Sequence, residues 1–465
     1  MDGLTTACAV EDQNTHGIKI TAAIAALSLF LALPRMTVAA EYQRAEQTAP
    51  TSVEEIDNTL GKFARDFVRD PRVVFENLDE WRQTRPPFQR DGQVKFDFRT
   101  YSFDATRADN QEPQAWVAGG QLSYRSGKWR DFLSLGAAWY GSYEISGNDD
   151  AGSSALIQPN GDNISVIAQA FVELARDGWI ARFYRQELDL PYINRFDVRM
   201  LPNTFEAYGV GRRGSNFSFL IGQVEKIKRR NDDEFVPMSV AAGVPGSDNG
   251  VTMGGFEWSP ADTNFELGAA SQYTKDLFNT FYTELNWDGK FGEDLGIKLS
   301  GQYTDQRSVG QDLLGDFSTS TWGTRIAASY RYAVIRLAYT QTDDGAGIRS
   351  PYGGRPSYLS MMIRDFDRAN ERGWRAGLSY HFDRIGLPDV SAVINIAKGR
   401  HARDPETLAR LSDQTEQNYT VDFRPKRGVL NGLWLRLRYA RVDETGSGKV
   451  SDEIRVIANY SLPIL

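Results

Sequence analysis

Apolar and polar side chains alternate one by one through much of the chain. In the last stretch, 452–465, the polar residues Arg455, Asn459 and Ser461 fall on one side of an extended strand, with Ile457 the exception. A period of two is typical of a strand whose two faces meet different surroundings, and not of a helix. The same pattern recurs in five other segments: 114–125, 163–175, 295–304, 374–382 and 433–440. The apolar side of the last stretch consists of Ile454, Val456, Ala458, Tyr460 and Leu462.

These segments predict strands that span a membrane. Each is about ten residues long, the length with which a tilted strand crosses a bilayer. An amphipathic strand at the end of the chain can pair with the first strand and leave no open edge in lipid. A soluble propeller would show a repeat of about 40–50 residues, and we find none in the sequence. The pattern therefore predicts an all-β fold, a transmembrane antiparallel β-barrel of about 18 strands around an aqueous channel.

The connections between these segments alternate between short and long. Short turns on one rim and long loops on the other are typical of outer-membrane barrels, with the short turns in the periplasm and the long loops outside the cell. The predicted short connections are 125–128, 176–178, 212–215, 259–262 and the junction of Tyr332 with Ala333. The predicted long ones are 143–162, 189–203, 227–250, 305–321, 343–372 and 398–416.

One long apolar run, 18–34, lies near the N-terminus and is followed by small residues before Glu41. We interpret residues 1–40 as a signal peptide with an A-x-A-like cleavage site at Val38 and Ala40, although a membrane anchor or a buried helix is the alternative. Residues 41–90 are polar and mixed, and we expect a periplasmic N-terminal extension, partly helical or disordered, with a plug inside the barrel as the alternative. Residues 91–465 then form the barrel domain.

Composition argues against disulfides and against non-specific binding of nucleic acid. The single cysteine, Cys8, lies in the predicted signal peptide, so the mature chain contains no cysteine and no disulfide. Removal of residues 1–40 takes away two basic and three acidic residues and changes the formal net charge from -8 to -7. An acidic chain of this kind does not favour non-specific binding of nucleic acid.

The sequence does not favour an enzyme. His381 and His401 are the histidines left after removal of the signal peptide, and neither G-x-S-x-G nor H-E-x-x-H occurs. Ser379 and His381 share a strand face, but neighbours two positions apart lie about 6–7 Å from each other, too far for a direct hydrogen bond. No spacing of Cys, His or acidic residues indicates a metal site, so we expect no cofactor and no resident metal.

Two long loops combine prolines, charges of both signs and large apolar groups, which suits segments folded back into a barrel. These loops and the strands near them carry motifs that resemble the OprD-type outer-membrane porins, the substrate-specific channels of Pseudomonas and its relatives. The matching segments are L-P at 190–191, D-V-R-M-L-P-N-T-F-E at 197–206, S-P-Y-G at 350–353, R-D-F-D-R-A at 364–369, G-W-R-A-G-L-S-Y at 373–380, F-D at 382–383, G-L-P at 386–388, and R-V-I-A-N-Y at 455–460 followed by L-P at 462–463.

The resemblance implies an 18-stranded barrel, a constriction built by the third and seventh outer loops, and a ladder of arginines on the inner wall. For a single arginine the alternative role is simply to make the lumen wall hydrophilic. The alternation places these ladder candidates inward: Arg182, Arg325, Arg331, Arg336, Arg375, Arg436, Arg438 and Arg455. The candidate constriction residues are Arg195, Asp197, Arg199, Glu206, Tyr352, Arg355, Asp365 and Asp367.

A row of guanidiniums in a narrow aqueous lumen attracts carboxylates, and acidic loop groups across from it would favour zwitterions or small organic acids. We therefore expect a porin of the bacterial outer membrane that lets small, carboxylate-bearing solutes such as amino acids or organic acids diffuse passively and selectively. The alternatives are a general diffusion pore and a non-conducting structural or adhesive barrel. The expected partners are outer-membrane lipid, lipopolysaccharide and small solutes but no nucleic acid, and the sequence leaves monomer and homotrimer open.

The signal-peptide interpretation makes a direct prediction. Cleavage after Ala40 should give a mature protein that begins at Glu41, because the small residues at Val38 and Ala40 suit the cleavage site. N-terminal sequencing of the protein isolated from outer membranes tests this. A mature chain that retains residues 18–34 would contradict it and favour the membrane anchor.

Overall fold

The computed structural model of the protein describes residues 85–464. The predicted signal peptide and all of the predicted N-terminal extension up to residue 84 lie outside the described residues. A single helical turn, α1 (Pro87–Arg90), precedes the first strand. The carbonyl of Phe88 accepts a hydrogen bond from the backbone of Gly127, 3.0 Å away, in the first periplasmic turn. Within the described part of the chain, no helix has both the length and the apolar character needed to cross a membrane.

The first half of the barrel is built from long strands with three short ones in its loops. The short strands β6, β7 and β10 lie in outer loops, and the helical turn α2 (Met238–Ala241) follows β10. The elements are β1 (Gln93–Thr106), β2 (Gln114–Arg125), β3 (Leu133–Gly147), β4 (Ile164–Arg176), β5 (Trp179–Gln186), β6 (Asp189–Leu190), β7 (Ile193–Asn194), β8 (Thr204–Arg213), β9 (Phe217–Lys228), β10 (Val236–Pro237) and β11 (Val251–Trp258).

The second half is more regular, since each strand pairs with the next along the chain. Three short 3-10 turns occur in the described part of the chain, at Ala151–Ser154, Phe382–Ile385 and Gly428–Leu430. The strands are β12 (Phe265–Thr274), β13 (Phe278–Phe291), β14 (Leu295–Ser308), β15 (Ser318–Tyr330), β16 (Ala333–Thr342), β17 (Arg372–His381), β18 (Val390–Arg400), β19 (Gln414–Phe423), β20 (Leu433–Glu444) and β21 (Val450–Pro463).

The sheet closes on itself. β1 pairs with β2 on one side and with β21 on the other, in an antiparallel register that runs from Lys95 opposite Pro463 to Thr106 opposite Asp452. Without the three short loop strands, the described residues form a closed antiparallel barrel of 18 strands. Closure removes the open edge whose unpaired backbone groups lipid could not solvate. The predicted fold class and strand number are confirmed.

The two faces of the strands differ as the alternation predicts. Leu437 and Ile454 point outward and keep 51% and 45% of their surface exposed, whereas the inward Glu416 and Arg455 are buried at 0% and 1%. Apolar groups therefore face the surroundings of the barrel and polar groups face its lumen, which is the reverse of a soluble barrel.

The connections follow the predicted alternation only in part. The six predicted long loops lie on the outer rim, but the outer loops 107–113, 275–277 and 445–449 are short, and the periplasmic connections 382–389 and 424–432 are longer than the last two of these. The predicted loop 305–321 is also shorter than expected, because β14 continues to Ser308 and β15 begins at Ser318. In chain order the third outer loop is 187–203, named L3 here, and the seventh is 343–371, named L7.

The buried apolar residues lie mainly where outer loops pack inside the barrel. Ile193 of L3 and Tyr352 of L7 join one cluster with wall residues such as Phe205 and Phe278. Met200 and Leu201, also of L3, join another with Tyr101 and Phe103 of β1. Burial of this apolar surface holds L3 and L7 inside the lumen.

Gly120 permits a close approach of β1 and β2. Its φ is +137°, a conformation that residues with a side chain rarely adopt, and an added Cβ would lie 1.9 Å from the carbonyl oxygen of Asp97. We expect Gly120→Ala to destabilise the barrel by about 1–3 kcal/mol through strain. Gly301→Ala is the matched control, because Gly301 also lies on a strand and its added Cβ meets nothing within 4 Å.

The measurement is the temperature at which the folded, fast-migrating form is lost in SDS electrophoresis. Gly120→Ala should lower it and Gly301→Ala should leave it unchanged. Equal behaviour of the two variants would contradict the assigned strain.

Candidate functional site: a lumen constricted by two loops

The first half of L3 extends inside the barrel from β5 to the wall formed by β12, β13 and β14. A hairpin of β6 and β7 turns at Tyr192, whose φ is +62°. The Tyr192 hydroxyl shares a hydrogen bond with the hydroxyl of Thr304 on β14, 2.8 Å away, and its ring packs edge-on against Tyr282 on β13. The side chain of Gln272 on β12 donates to the Pro191 carbonyl. The tip of L3 is therefore fixed to a wall that is distant in sequence.

The second half of L3 returns to the strands that close the barrel. Arg99 on β1 donates to both carboxylate oxygens of Asp197, at 2.6 and 3.2 Å, and to the carbonyls of Arg199 and Met200. Burial raises the pKa of Asp197, but the attraction and hydrogen bonds of Arg99 outweigh it and hold this pKa below the ordinary value. Asp197 is thus an ionised anchor at neutral pH.

L7 is held against the neighbouring part of the wall by a buried carboxylate. Glu416 on β19 accepts backbone hydrogen bonds from Met362, Ile363 and Arg364 at 2.7–3.0 Å. The Arg364 side chain pairs with Glu444 on β20, 3.0 Å away. These contacts fix the backbone of L7 beside β19 and β20.

The two loops also bind each other. The side-chain amide of Asn194 in L3 donates to the carbonyl of Gly354 in L7, and the backbone N–H of Gly354 donates to the Asn194 side-chain oxygen, each at 2.8 Å. A Cβ at the neighbouring Gly353 would lie 2.6 Å from that oxygen. Glycine is therefore required at Gly353 for this close approach.

Both loops converge on β21 beside a group of arginines. We name Arg199, Arg230, Arg438 and Arg455 the arginine cluster. Arg438 and Arg455 are register partners on β20 and β21. Glu453 pairs with Arg455 and lies 3.6 Å from Arg199 of L3, while Arg455 also donates to the Met362 carbonyl of L7 at 3.1 Å. The Arg230 guanidinium lies over the ring of Phe196, 4.4 Å from its centroid.

The loop arginines of this cluster repel their neighbours. Burial, followed by repulsion from Arg455, lowers the pKa of Arg199. Burial, together with repulsion from Arg199 and Arg455, lowers the pKa of Arg230 to about 9. Both groups stay charged at neutral pH, so the cluster carries uncompensated positive charge that a bound anion would relieve.

Seven of the eight predicted ladder arginines lie on the inner wall. Arg436 makes a bidentate pair with Asp422, at 2.7 and 3.0 Å. Arg182 shares Glu173 with Arg125. Arg325 lies over the ring of Tyr358, Arg336 donates to Ser379, and Arg375 donates to Asn395. Arg438 and Arg455 belong to the arginine cluster.

The eighth, Arg331, requires a correction. It lies in the two-residue turn between β15 and β16, with a φ of +52° and a side chain that is 54% exposed and paired with Asp294. The predicted inward position of Arg331 is wrong, because the strand ends at Tyr330 and the left-handed backbone of Arg331 breaks the alternation there.

The predicted constriction residues divide into groups. Arg195, Asp197 and Arg199 lie in L3, with Arg195 paired to Glu187 and Asp189. Arg355, Asp365 and Asp367 lie in L7 and pair with one another, at 2.7 and 2.9 Å from Arg355.

Two of the constriction candidates are placed differently from the prediction. Glu206 lies on β8 rather than in a loop, where it pairs with Arg185 and Lys226. Tyr352 packs against Phe278 and is 2% exposed, so it supports L7 rather than lining the pore.

Four important residues were absent from the sequence-based set: Arg99, Arg230, Glu416 and Glu453. Arg99, Glu416 and Glu453 lie on inward strand positions, so the alternation could have found them. Arg230 gave no such signal, because its role depends on the path of an outer loop.

The comparisons with known proteins agree with this architecture. The family described as outer membrane porin, OprD family, matches residues 87–464. The porin-like protein GalP of Pseudomonas putida is 22% identical over 382 residues, which cover 79% of this chain and 89% of GalP.

Solved structures share the fold. Pseudomonas aeruginosa OpdK, solved with vanillate, has a TM-score of 0.72 at 20% identity and covers 81% of this chain and 100% of its own. Pseudomonas aeruginosa OccK2 (OpdF), in complex with glucuronate, has a TM-score of 0.69 at 19% identity and covers 82% and 100%.

A closed antiparallel barrel with an apolar outer face, a polar lumen and inward outer loops is an outer-membrane porin. Because the family match spans the barrel from before its first strand into its last, the chain belongs to the OprD family of outer membrane porins, which are substrate-specific channels. It is a protein of the bacterial outer membrane. Family and fold point to a channel rather than an enzyme.

The anchor between Asp197 and Arg99 predicts a pH dependence. Since the pKa of Asp197 lies below its ordinary value of 3.8, the anchor should hold at neutral pH and weaken as the pH falls through this depressed pKa. Asp197→Asn should release this part of L3 at every pH and widen the channel.

The test is the size of the largest neutral polyethylene glycol that reduces single-channel current, which reports width independently of charge. Asp197→Asn should admit larger polymers at pH 7. Asp162→Asn, an exposed carboxylate in the second outer loop that accepts from Asn160, should match the wild type. If the largest polymer that enters Asp197→Asn were the same as in the wild type, Asp197 would not hold L3 in the channel.

Proposed function

We propose that this porin admits small, water-soluble solutes that carry a carboxylate, by passive and selective diffusion. The observation that carries the proposal is the arginine cluster, where four guanidiniums accompany the single carboxylate of Glu453. Each guanidinium has several N–H donors in a planar fork that suits a carboxylate. An anion that enters the cluster loses bound water, and the arginine N–H groups can replace the hydrogen bonds of that water. The cluster therefore binds an anion better than a neutral solute.

Arg438 is the best candidate for direct contact with the solute. Its guanidinium donates to the hydroxyl of Thr420 at 3.3 Å, and no ion pair involves it among residues 85–464. Arg436, two positions away on the same face, has its fork occupied by Asp422. Arg438 therefore retains donors that a solute could use, whereas Arg436 mainly supports the wall.

The other inward arginines supply a path on either side of the cluster. Along β20, Trp434, Arg436 and Arg438 share the inner face at a spacing of about 7 Å for positions two apart. Arg424 and Arg436 both lie over the Trp434 ring, 4.0 and 4.5 Å from its centroid. Successive cations at this spacing allow an anion to pass from one to the next without a long gap.

Two structural relatives support the class of solute. OpdK was solved with vanillate and OccK2 with glucuronate, and both ligands carry a carboxylate. The low identity of these chains leaves the particular solute of this channel open, so the proposal names a chemical class.

The test compares two solutes that differ mainly in charge, benzoate and benzamide. In planar bilayers, benzoate should block the wild-type current at concentrations where benzamide does not. Arg438→Gln should weaken benzoate block by about tenfold or more, because hydrogen bonds to charged groups contribute about 1.5–3 kcal/mol. Arg331→Gln is the matched control, since that arginine lies in a periplasmic turn.

The outcomes separate the alternatives. Equal effects of benzoate and benzamide would indicate a general diffusion pore, and the absence of current in repeated insertions would indicate a non-conducting barrel. Unchanged block in Arg438→Gln would remove Arg438 from the mechanism.

A further inference from the structure

Three basic side chains lie on the outer face of the barrel, apart from the lumen. We name Arg372, Lys398 and Arg400 the rim patch. On β17, Arg372 is on the opposite face from the inward Arg375, and on β18, Lys398 and Arg400 are on the opposite face from the inward Asn395. Arg372 and Arg400 are exposed and Lys398 is partly buried. All three therefore face the membrane side of the wall.

The rim patch places like charges directly against each other. Arg372 and Arg400 are register partners on neighbouring strands, and Lys398 lies opposite Trp374. Like charges at directly opposed positions destabilise a strand pair. The arrangement is therefore unfavourable unless an anion lies between the side chains.

No acidic group in residues 85–464 neutralises the rim patch. The nearby Glu371 is held by Arg368, and Asp413 accepts from Arg410 and from the His401 backbone. Farther around the same rim, Arg441 lies 3.4 Å from Asp443 and 3.6 Å from Asp452. Arg441 thus has acidic partners on the outer face, whereas the rim patch has none among the described residues.

The position of the rim patch indicates what could neutralise it. Arg372 directly follows L7, and Arg400 directly precedes the outer loop 401–413, so the patch lies at the extracellular end of the wall. Toward the membrane centre the same strands expose Trp374, Leu378 and Ile394, each between 43% and 48%. A cationic rim above an apolar wall fits an amphiphile with an anionic head and acyl chains.

We infer that the rim patch binds a phosphate on the head group of an outer-leaflet glycolipid, whose acyl chains lie along the apolar wall below. Arginine forks bind phosphate oxygens in bidentate geometry, and one phosphate between Arg372 and Arg400 would turn their repulsion into two attractions. Lys398 would add a third, less directional charge. This site is separate from the conducting lumen and does not depend on the solute the channel admits.

The test measures retention of lipid A, the phosphorylated anchor of lipopolysaccharide, by the purified full-length protein in detergent using native mass spectrometry. Arg372→Gln/Arg400→Gln should bind bis-phosphorylated lipid A about tenfold or more weakly than the wild type, since two charge-assisted contacts are lost. Arg441→Gln, the control at the same rim, should bind as the wild type does. Heat-modifiable migration confirms that each variant is folded, and Arg400→Gln alone should give an intermediate loss.

Three results would overturn the inference. The first is unchanged lipid A binding by the folded double variant. The second is equal wild-type binding of phosphorylated and dephosphorylated lipid A, which would indicate association through acyl chains alone. The third is displacement of lipid A by an equal concentration of inorganic phosphate, which would indicate a site for free anions rather than for a lipid.

Discussion

The structure depends on the pairing of its first and last strands. Backbone N–H and C=O groups in hydrocarbon have no water to bind, so every strand in a bilayer needs two neighbours. The antiparallel pairing of β1 with β21 meets this requirement for the whole sheet. It also explains the alternation along the chain, because a closed wall has one face in lipid and one in water. The same closure brings Arg99 of β1 beside Asn459 of β21, with which it forms a hydrogen bond of 2.7 Å.

Within that wall, polar contacts between distant residues decide where the outer loops lie. Asp197 of L3 pairs with Arg99 on β1, and Glu416 on β19 accepts three backbone hydrogen bonds from L7, so both loops are fixed by buried polar groups as well as by apolar packing. Removing one partner of such a contact leaves the other charge buried and unsatisfied, which is costly. Lumen-facing ionic contacts therefore make the path of each loop specific. They also leave the arginine cluster with more positive than negative groups.

Much of the fold could be predicted from the alternation, because period two is a local property. The predicted segment 114–125 coincides with β2, and the predicted loops 189–203 and 343–372 correspond to the third and seventh outer loops, 187–203 and 343–371. The ends of strands were less predictable. The sequence predicted a tight junction at Tyr332 and Ala333, but β15 already ends at Tyr330, so Arg331 lies in the turn and not on the wall. The site depended on contacts between distant residues, such as Arg99 with Asp197 and Asn194 with Gly354, which a single sequence does not show.

Glu453 and Arg455 lie on the final strand and touch both inward loops, through Arg199 of L3 and Met362 of L7. L3 and L7 therefore lack these two contacts until the last strand of the barrel has paired. A barrel that had not yet accepted its last strand would lack both a closed wall and the anchor points of its two inward loops. One strand pairing therefore completes the seal against lipid and the positioning of L3 and L7 at the same time.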